Sequence, residues 1–155
     1  MLQSAVDRLN AADLVVRKVS PVYETEPVGF ADQRHFLNMA VEAETDLFPR
    51  MLLGRIQKIE LALGRRRSGP VNGPRTVDID ILFYGHATVK AGGLEIPHPR
   101  LQERRFVLAP MADLAPELRH PRLHRTVREL LVGVEGQKVR RVDFAVRIGG
   151  TAPAF

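Results

Sequence analysis

The sequence predicts an α+β fold, on three observations. Apolar residues recur with a period near 3.6 in some segments and near 2 in others. The segments follow in the order helix–strand–strand–helix–strand rather than in strict alternation. An α-rich stretch punctuated by proline closes the chain. With 155 residues and 45% hydrophobic residues, the chain has the size of one domain, for which roughly 100–200 residues is usual.

Leu2, Ala5, Val6 and Leu9 follow the i, i+3, i+4, i+7 pattern and predict an amphipathic first helix. Asp13 then introduces Leu14 to Val19, a β-branched strand predicted to continue beyond Pro21 through Val22 to Thr25. Pro27-Val28-Gly29 and Ala31-Asp32-Gln33 read as loop. Phe36 to Glu44 alternates and is the next strand, with Asn38 counted on the face of Glu42 and Phe36 on the opposite one. Pro49 suits a helix start, and Leu52, Ile56, Ile59 and Leu63 make one apolar stripe that Gly64 ends. Residues 65–74 read as a Gly/Pro-rich loop carrying three consecutive Arg. Thr76 to Phe83 is a strongly apolar strand, and Tyr84-Gly85 turns it. Thr88-Val89-Lys90 and Leu94-Glu95-Ile96 flank Gly92-Gly93 as a small hairpin. From Pro99 the pattern is helical, with breaks expected at Pro110, Pro116 and Pro121, and a last helix bears Val127, Leu130 and Leu131. Residues 1–148 are expected to form a single domain and 149–155 a flexible tail.

Composition narrows the chemistry. The absence of Cys removes disulfides, thiolate-held metals and a thiol nucleophile, so carboxylates, His, Arg, Lys or hydroxyls must act. The longest apolar run, Phe106 to Ala112, is far short of the ~20 residues that span a membrane. Asp7, Arg8 and Asn10 near the start do not fit a signal peptide. A soluble, cytoplasmic protein without a membrane partner is the expectation. The net charge of +5 comes with 19 Arg against 4 Lys, and Arg suits bidentate grips on phosphate or carboxylate. The same charge would also fit a basic α+β module that binds nucleic acid. No phosphate-binding G-x-x-x-x-G-K-[ST] loop, H-E-x-x-H or G-x-S-x-G motif occurs.

The most informative run is Asn72 to Leu82. On a strand, Asp78 and Asp80 share one face, while Val77, Ile79 and Ile81 share the other. Carboxylates roughly 6.5–7 Å apart along a strand can splay around two divalent ions about 3.5–4 Å apart. Hard oxygen donors with few protein ligands suit Mg²⁺, which also binds substrate phosphates. The plainer alternative is a solvated polar face. Arg65, Arg66 and Arg67 just before the strand, and Arg75 three residues ahead of Asp78, shift the balance. Cations beside magnesium-holding carboxylates are what transfer of a phosphoryl-type group requires. His98, between Pro97 and Pro99, and Arg104 and Arg105 on a helical turn stand apart from this run. Phe36 and Phe106 are by default core residues. With the Asn38 amide they could also sandwich a flat heterocycle and read its edge.

The run GPRTVDIDILFYG is similar to the signature of the 6-hydroxymethyl-7,8-dihydropterin pyrophosphokinase family of folate synthesis. The resemblance extends over SPVYETEPVGFADQRHFLNMAVEAET, the helix ending in IELALGR, and IPHPRLQERRFVLAPMADLAPELRHP, from Val19 to Pro121 in order. It implies a ferredoxin-like sandwich, an antiparallel sheet with helices, followed by an α-rich C-terminal extension. It also implies transfer of a pyrophosphoryl group from ATP to the pterin hydroxymethyl, giving AMP, with two Mg²⁺ ions. The expected partners are small molecules, with no nucleic acid, and the expected state is a monomer.

By motif match, Asp78 and Asp80 resemble the magnesium ligands, and Arg65 and Arg75 the cations on the triphosphate and its leaving group. Arg67 resembles a residue that closes the loop, and Glu60, His98 and Arg104 resemble nucleotide contacts. Thr25, Val28, Phe36, Asn38 and Phe106 resemble the pterin pocket, with the two Phe stacking and Asn38 reading the edge. Val71 replaces a basic residue usual in the signature, and Gly93 an Arg that some members direct at the nucleotide. The family's opening strand and Gly-Ser-Asn loop are not in this sequence. Their loss is expected to leave unpaired backbone groups on neighbouring strands, and an inactive truncated paralogue is the corresponding alternative.

Overall fold

The computed structural model describes residues 1–25, 36–64 and 77–149. Helix α1 (Leu2–Leu9) buries Ala5, Val6 and Leu9, the predicted stripe. Strand β1 (Val15–Val19) pairs antiparallel with β4 (Val41–Glu44), and α2 (Pro49–Ala62) buries Leu52, Ile56 and Ile59. Val6 and Leu9 of α1, the three α2 residues, Leu14, Val16, Val22 and Val146 make the first apolar core.

The two long strands expected from sequence are each cut in two. The chain breaks after β1 at Ser20-Pro21 and resumes as β2 (Tyr23–Thr25). Opposite it, the second strand breaks at Met39-Ala40, between β3 (Phe36–Asn38) and β4. Pro21 has no N–H to give a ladder, and the Ser20 side chain takes over locally. The Ala40 N–H donates to Ser20 Oγ at 2.8 Å, and the Ser20 N–H donates to the Ala40 carbonyl at 2.9 Å. Beyond this joint β2 is the middle of a separate sheet, paired with β3 on one side and with β7 (Val139–Arg141) on the other. Strand β7 was not anticipated: it is three residues long and two of them are Arg.

A further difference concerns the expected strand from Thr76 to Phe83. Thr76 lies outside the described residues, and Val77 to Tyr84 belong to no sheet among the described residues. This segment and β4 both line a groove of about 770 Å³. The segment's hydrogen bonds go elsewhere: Ile79 N–H to the Glu60 side chain, and the Leu82 carbonyl to the His98 N–H at 3.0 Å. The described residues therefore form an α+β structure with three small antiparallel sheets.

The hairpin appears as β5 (Val89–Ala91) and β6 (Leu94–Ile96). Gly92 and Gly93 both have positive φ, +55° and +83°, as the two-residue turn favoured between twisted strands demands. The Arg50 guanidinium of α2 donates to the Ala91 carbonyl at 2.8 Å and fixes this turn over the helix.

The C-terminal stretch begins with a single 3₁₀ turn (Leu101–Glu103), then α3 (Arg105–Leu114) and α4 (Val127–Val132). Pro110 does not break α3 as expected. Its lost N–H bond is offset by complete burial of its ring. The helix does end before Pro116, at Leu114 with Ala115 as its C-cap. Leu101, Leu108, Met111, Val127 and Val134 form the second core, with Ala40 from the other half. Helix α4 opens on a reciprocal cap: Glu129 N–H to Thr126 Oγ1 at 3.1 Å, and Thr126 N–H to Glu129 Oε1 at 2.8 Å. Among the described residues no helix is long and apolar enough to cross a membrane. Of the expected tail, 149–155, all but Gly149 lies outside the described residues.

Candidate active site

Although it joins no sheet among the described residues, the segment from Val77 to Ile81 keeps the two-faced character its period predicts. Val77 is buried, Ile79 and Ile81 are half-buried against the first core, and Asp78 and Asp80 are exposed. The Ile79 amide, between the two Asp, donates to Glu60 Oε2 at 2.8 Å. Glu60 is only 8% exposed, a position a carboxylate holds when its oxygens are hydrogen-bonded. The resemblance implies that Glu60 contacts the nucleotide; in the structure its carboxylate also holds the backbone that carries both Asp.

Asp80 opens on a concavity of about 630 Å³ that it shares with His98, Lys90, Glu95, Leu53 and the Gly92-Gly93 turn. Two bonds make this wall. The His98 N–H is tied to the Leu82 carbonyl, two residues beyond Asp80, and Arg50 holds the hairpin that supplies Lys90 and Glu95. His98 Nδ1 accepts the Arg100 N–H at 3.2 Å. That bond assigns the ring proton to Nε2 and leaves it as a donor. Lys90 stands directly across the hairpin from Glu95, whose carboxylate lies 3.7 Å from Arg122. Leu53, Lys90 and Glu95 were not singled out from sequence. They reach Asp80 only through packing of the hairpin on α2, which no local pattern reports.

A second group of side chains lies between the β3-β2-β7 sheet and α3. Thr25 is paired with Phe36, and Tyr23 with Asn38, so all four project from one face of the sheet. Phe36 is therefore on the same face as Asn38, contrary to the expectation, because residues two apart on a strand point the same way. Asn38 Nδ2 donates to Thr25 Oγ1 at 3.3 Å. Phe36, on the outer strand, is 62% exposed. Phe106 is in the first turn of α3, half-buried, with the Arg104 guanidinium 5.6 Å from its ring centre. Helix α3 packs against β2 and β3, which brings Phe106 and the Thr25, Phe36 and Asn38 group onto adjoining layers.

The described residues thus bring Asp80 to His98, Thr25 to Asn38, and Arg104 to Phe106. Val28, Arg65, Arg67 and Arg75 lie outside the described residues. Two exposed carboxylates on one short segment fit Mg²⁺, because most of its coordination positions stay with water and phosphate oxygens. Among the described residues no further His, Asp or Glu joins them to complete a protein cage.

A family model described as 7,8-dihydro-6-hydroxymethylpterin-pyrophosphokinase matches residues 1–116. A 2-amino-4-hydroxy-6-hydroxymethyldihydropteridine pyrophosphokinase of Bacillus subtilis is 48% identical over 118 residues, 76% of this chain and 70% of its own length. The protein of the same name from Pseudomonas aeruginosa is 42% identical over 147 residues, covering 93% of this chain and 88% of its own. A folate synthesis bifunctional protein of Arabidopsis thaliana is 50% identical over 99 residues, 64% of this chain but 20% of that longer protein.

Proposed function

The chain belongs to the 7,8-dihydro-6-hydroxymethylpterin-pyrophosphokinase family, and on that premise we propose that it transfers pyrophosphate from ATP to the hydroxymethyl group of the reduced pterin. This is a step of folate biosynthesis. The observation that carries the reading at the site is Asp78 and Asp80 exposed on one segment beside the His98 concavity, within a chain matched over most of its length. Neither a nucleic-acid-binding module nor an inactive paralogue is favoured by that match.

The pterin hydroxymethyl oxygen attacks the β-phosphorus of ATP in line. The new O–P bond forms as the bond from the β-phosphorus to the oxygen bridging it to the α-phosphorus breaks. That oxygen leaves on AMP, and the hydroxyl proton leaves to solvent. Asp78 and Asp80 would hold two Mg²⁺ ions, which when bound neutralise the charge of the phosphate oxygens. Glu60 sets the Asp78–Asp80 backbone through the Ile79 amide. His98 Nε2 donates to the nucleotide in the concavity it shares with Asp80. Arg65 and Arg75 bind the triphosphate and the departing AMP, Arg67 closes over them, and Arg104 adds a cation at the start of α3. Thr25, Val28, Phe36, Asn38 and Phe106 hold the pterin, with the two Phe on its faces and the Asn38 amide on its edge. Little covalent work falls to the protein, since charge and position carry such transfers.

We read the core as a ferredoxin-like sandwich. The packing of α1 and α2 together against the β1–β4 pair supports this. The test is mass-spectrometric detection of the pterin diphosphate and AMP from ATP, magnesium and the reduced pterin alcohol. Equimolar formation of both supports the reading. Release of ADP, or no product at saturating substrates, contradicts it.

A further inference from the structure

From the proposed pterin site one polar cluster leads away toward the C-terminus. Tyr23 is on the middle strand of its sheet, directly between Asn38 of β3 and Arg141 of β7. It is 8% exposed. Its hydroxyl donates to Asp113 Oδ2 of α3. Arg141 Nη2 donates to that same phenol oxygen at 3.2 Å and to Asp113 Oδ1 at 3.1 Å. The guanidinium also lies 5.7 Å from the Tyr23 ring centre. One phenol, one carboxylate and one guanidinium thus bond to one another across two layers of the fold.

We infer that Tyr23, Asp113 and Arg141 are positioning residues that set α3 at a fixed distance and roll over the β3-β2-β7 sheet, and so set the pterin pocket's two walls. This rests on the pterin reading above. The geometry on each wall is simple. Asp113 and Phe106 are seven residues apart on α3, so they fall on nearly the same line along the helix, about 10 Å apart. Ala109 and Pro110 lie between them on that line, both buried. Small side chains there let the helix come close to the sheet. Locking Asp113 to Tyr23 therefore orients Phe106 toward the sheet as well.

On the sheet, Tyr23 shares its face with Asn38 directly opposite and with Thr25 two residues on. A displacement at Tyr23 is carried to the Asn38–Thr25 hydrogen bond through a rigid, paired backbone. The three strands are already held by their own ladders, and the opposite side of α3 is held by Leu108 and Met111 in the second core. What the polar cluster adds is registration between these two bodies.

The phenol is well suited to this task. Burial pushes its pKa above the ordinary value of 10, and the Asp113 hydrogen bond pushes the same way against the lowering effect of Arg141. The hydroxyl therefore stays protonated and remains a donor to Asp113 across the neutral range. The Arg141–Asp113 pair is itself partly exposed. Such a pair contributes little stability, so its loss is expected to change position more than folding.

The experiment uses the full chain with Tyr23→Phe and, separately, Arg141→Gln and Arg141→Lys. Steady-state kinetics are run against both substrates, and pterin fluorescence titrations are run with a non-hydrolysable ATP analogue present. The expected result for Tyr23→Phe and Arg141→Gln is a rise of roughly tenfold in the pterin KM and dissociation constant, with the ATP KM and melting temperature near those of the parent chain. Arg141→Lys is expected to restore part of the loss. Unchanged pterin affinity in both variants overturns the inference. So does a parallel loss for both substrates with a falling melting temperature, which is a structural role alone. A parent chain that binds pterin but yields no pyrophosphoryl product contradicts the proposed function instead, and the titrations still decide the positioning role.

Discussion

The Ile79 amide donates to Glu60 Oε2 at 2.8 Å, and this bond joins a buried carboxylate of α2 to the backbone between Asp78 and Asp80. A segment without sheet partners among the described residues is thereby held to a helix by a charge-assisted bond, a stronger type than a neutral one. This bond anchors the backbone midway between the two exposed carboxylates.

Glu60→Gln keeps a side-chain oxygen that can accept the Ile79 N–H, whereas Glu60→Ala leaves that amide without its acceptor. The Ala variant is expected to lose about 1–3 kcal/mol of stability and to need more magnesium for half-maximal turnover. The Gln variant is expected to retain most of both. Thermal unfolding and a magnesium titration of the rate check this pair.

His98 presents Nε2 because Nδ1 is taken by the Arg100 amide. On the proposed reading, His98→Ala removes one donor to the nucleotide, worth about 1 kcal/mol. The expected outcome is a several-fold rise in the ATP KM, with the pterin KM unchanged. Equal changes in both constants would place His98 outside the nucleotide site.

Acid sensitivity is expected at the α4 cap. The backbone N–H of Thr126, and then its hydroxyl, hold the Glu129 carboxyl below its ordinary pKa of 4.5. The folded state thus favours the ionised form. The carboxylate's contribution is fully present above pH 4.5 and is lost as pH falls through the lower, folded-state value. Glu129→Gln is expected to be less stable than the parent chain near neutrality and to converge on it in acid. Denaturant melts at pH 7 and pH 3 give the comparison.

Much of this architecture could be read from the residues, and what could not has physical reasons. The α2 stripe of Leu52, Ile56 and Ile59 and the Gly92-Gly93 turn were legible because their signals are local and periodic. So were the exposed Asp78 and Asp80 against the more buried Val77, Ile79 and Ile81, since period two survives in a segment that joins no sheet among the described residues. The cut at Ser20-Pro21 was missed because β-branched residues continue on both sides of it, and only the pairing of Ser20 with Ala40 reveals the joint. Pro110 misled because its tolerance in α3 comes from burial. The concavity beside Asp80 draws Lys90 from the hairpin into its lining, which no local pattern in the sequence reports. The Tyr23–Asp113–Arg141 cluster joins residues 90 and 28 positions apart, beyond the reach of any sequence window.

The central claim is that Asp78 and Asp80 together hold the divalent ions that the nucleotide shares. Its most direct test is Mn²⁺ binding, followed by electron paramagnetic resonance with a non-hydrolysable ATP analogue, in the parent chain and in Asp78→Asn and Asp80→Asn. The account predicts nucleotide-dependent uptake of two ions by the parent chain. It predicts at least a roughly tenfold weaker uptake in either variant, with melting temperatures unchanged. Uptake by both variants equal to that of the parent chain would contradict it.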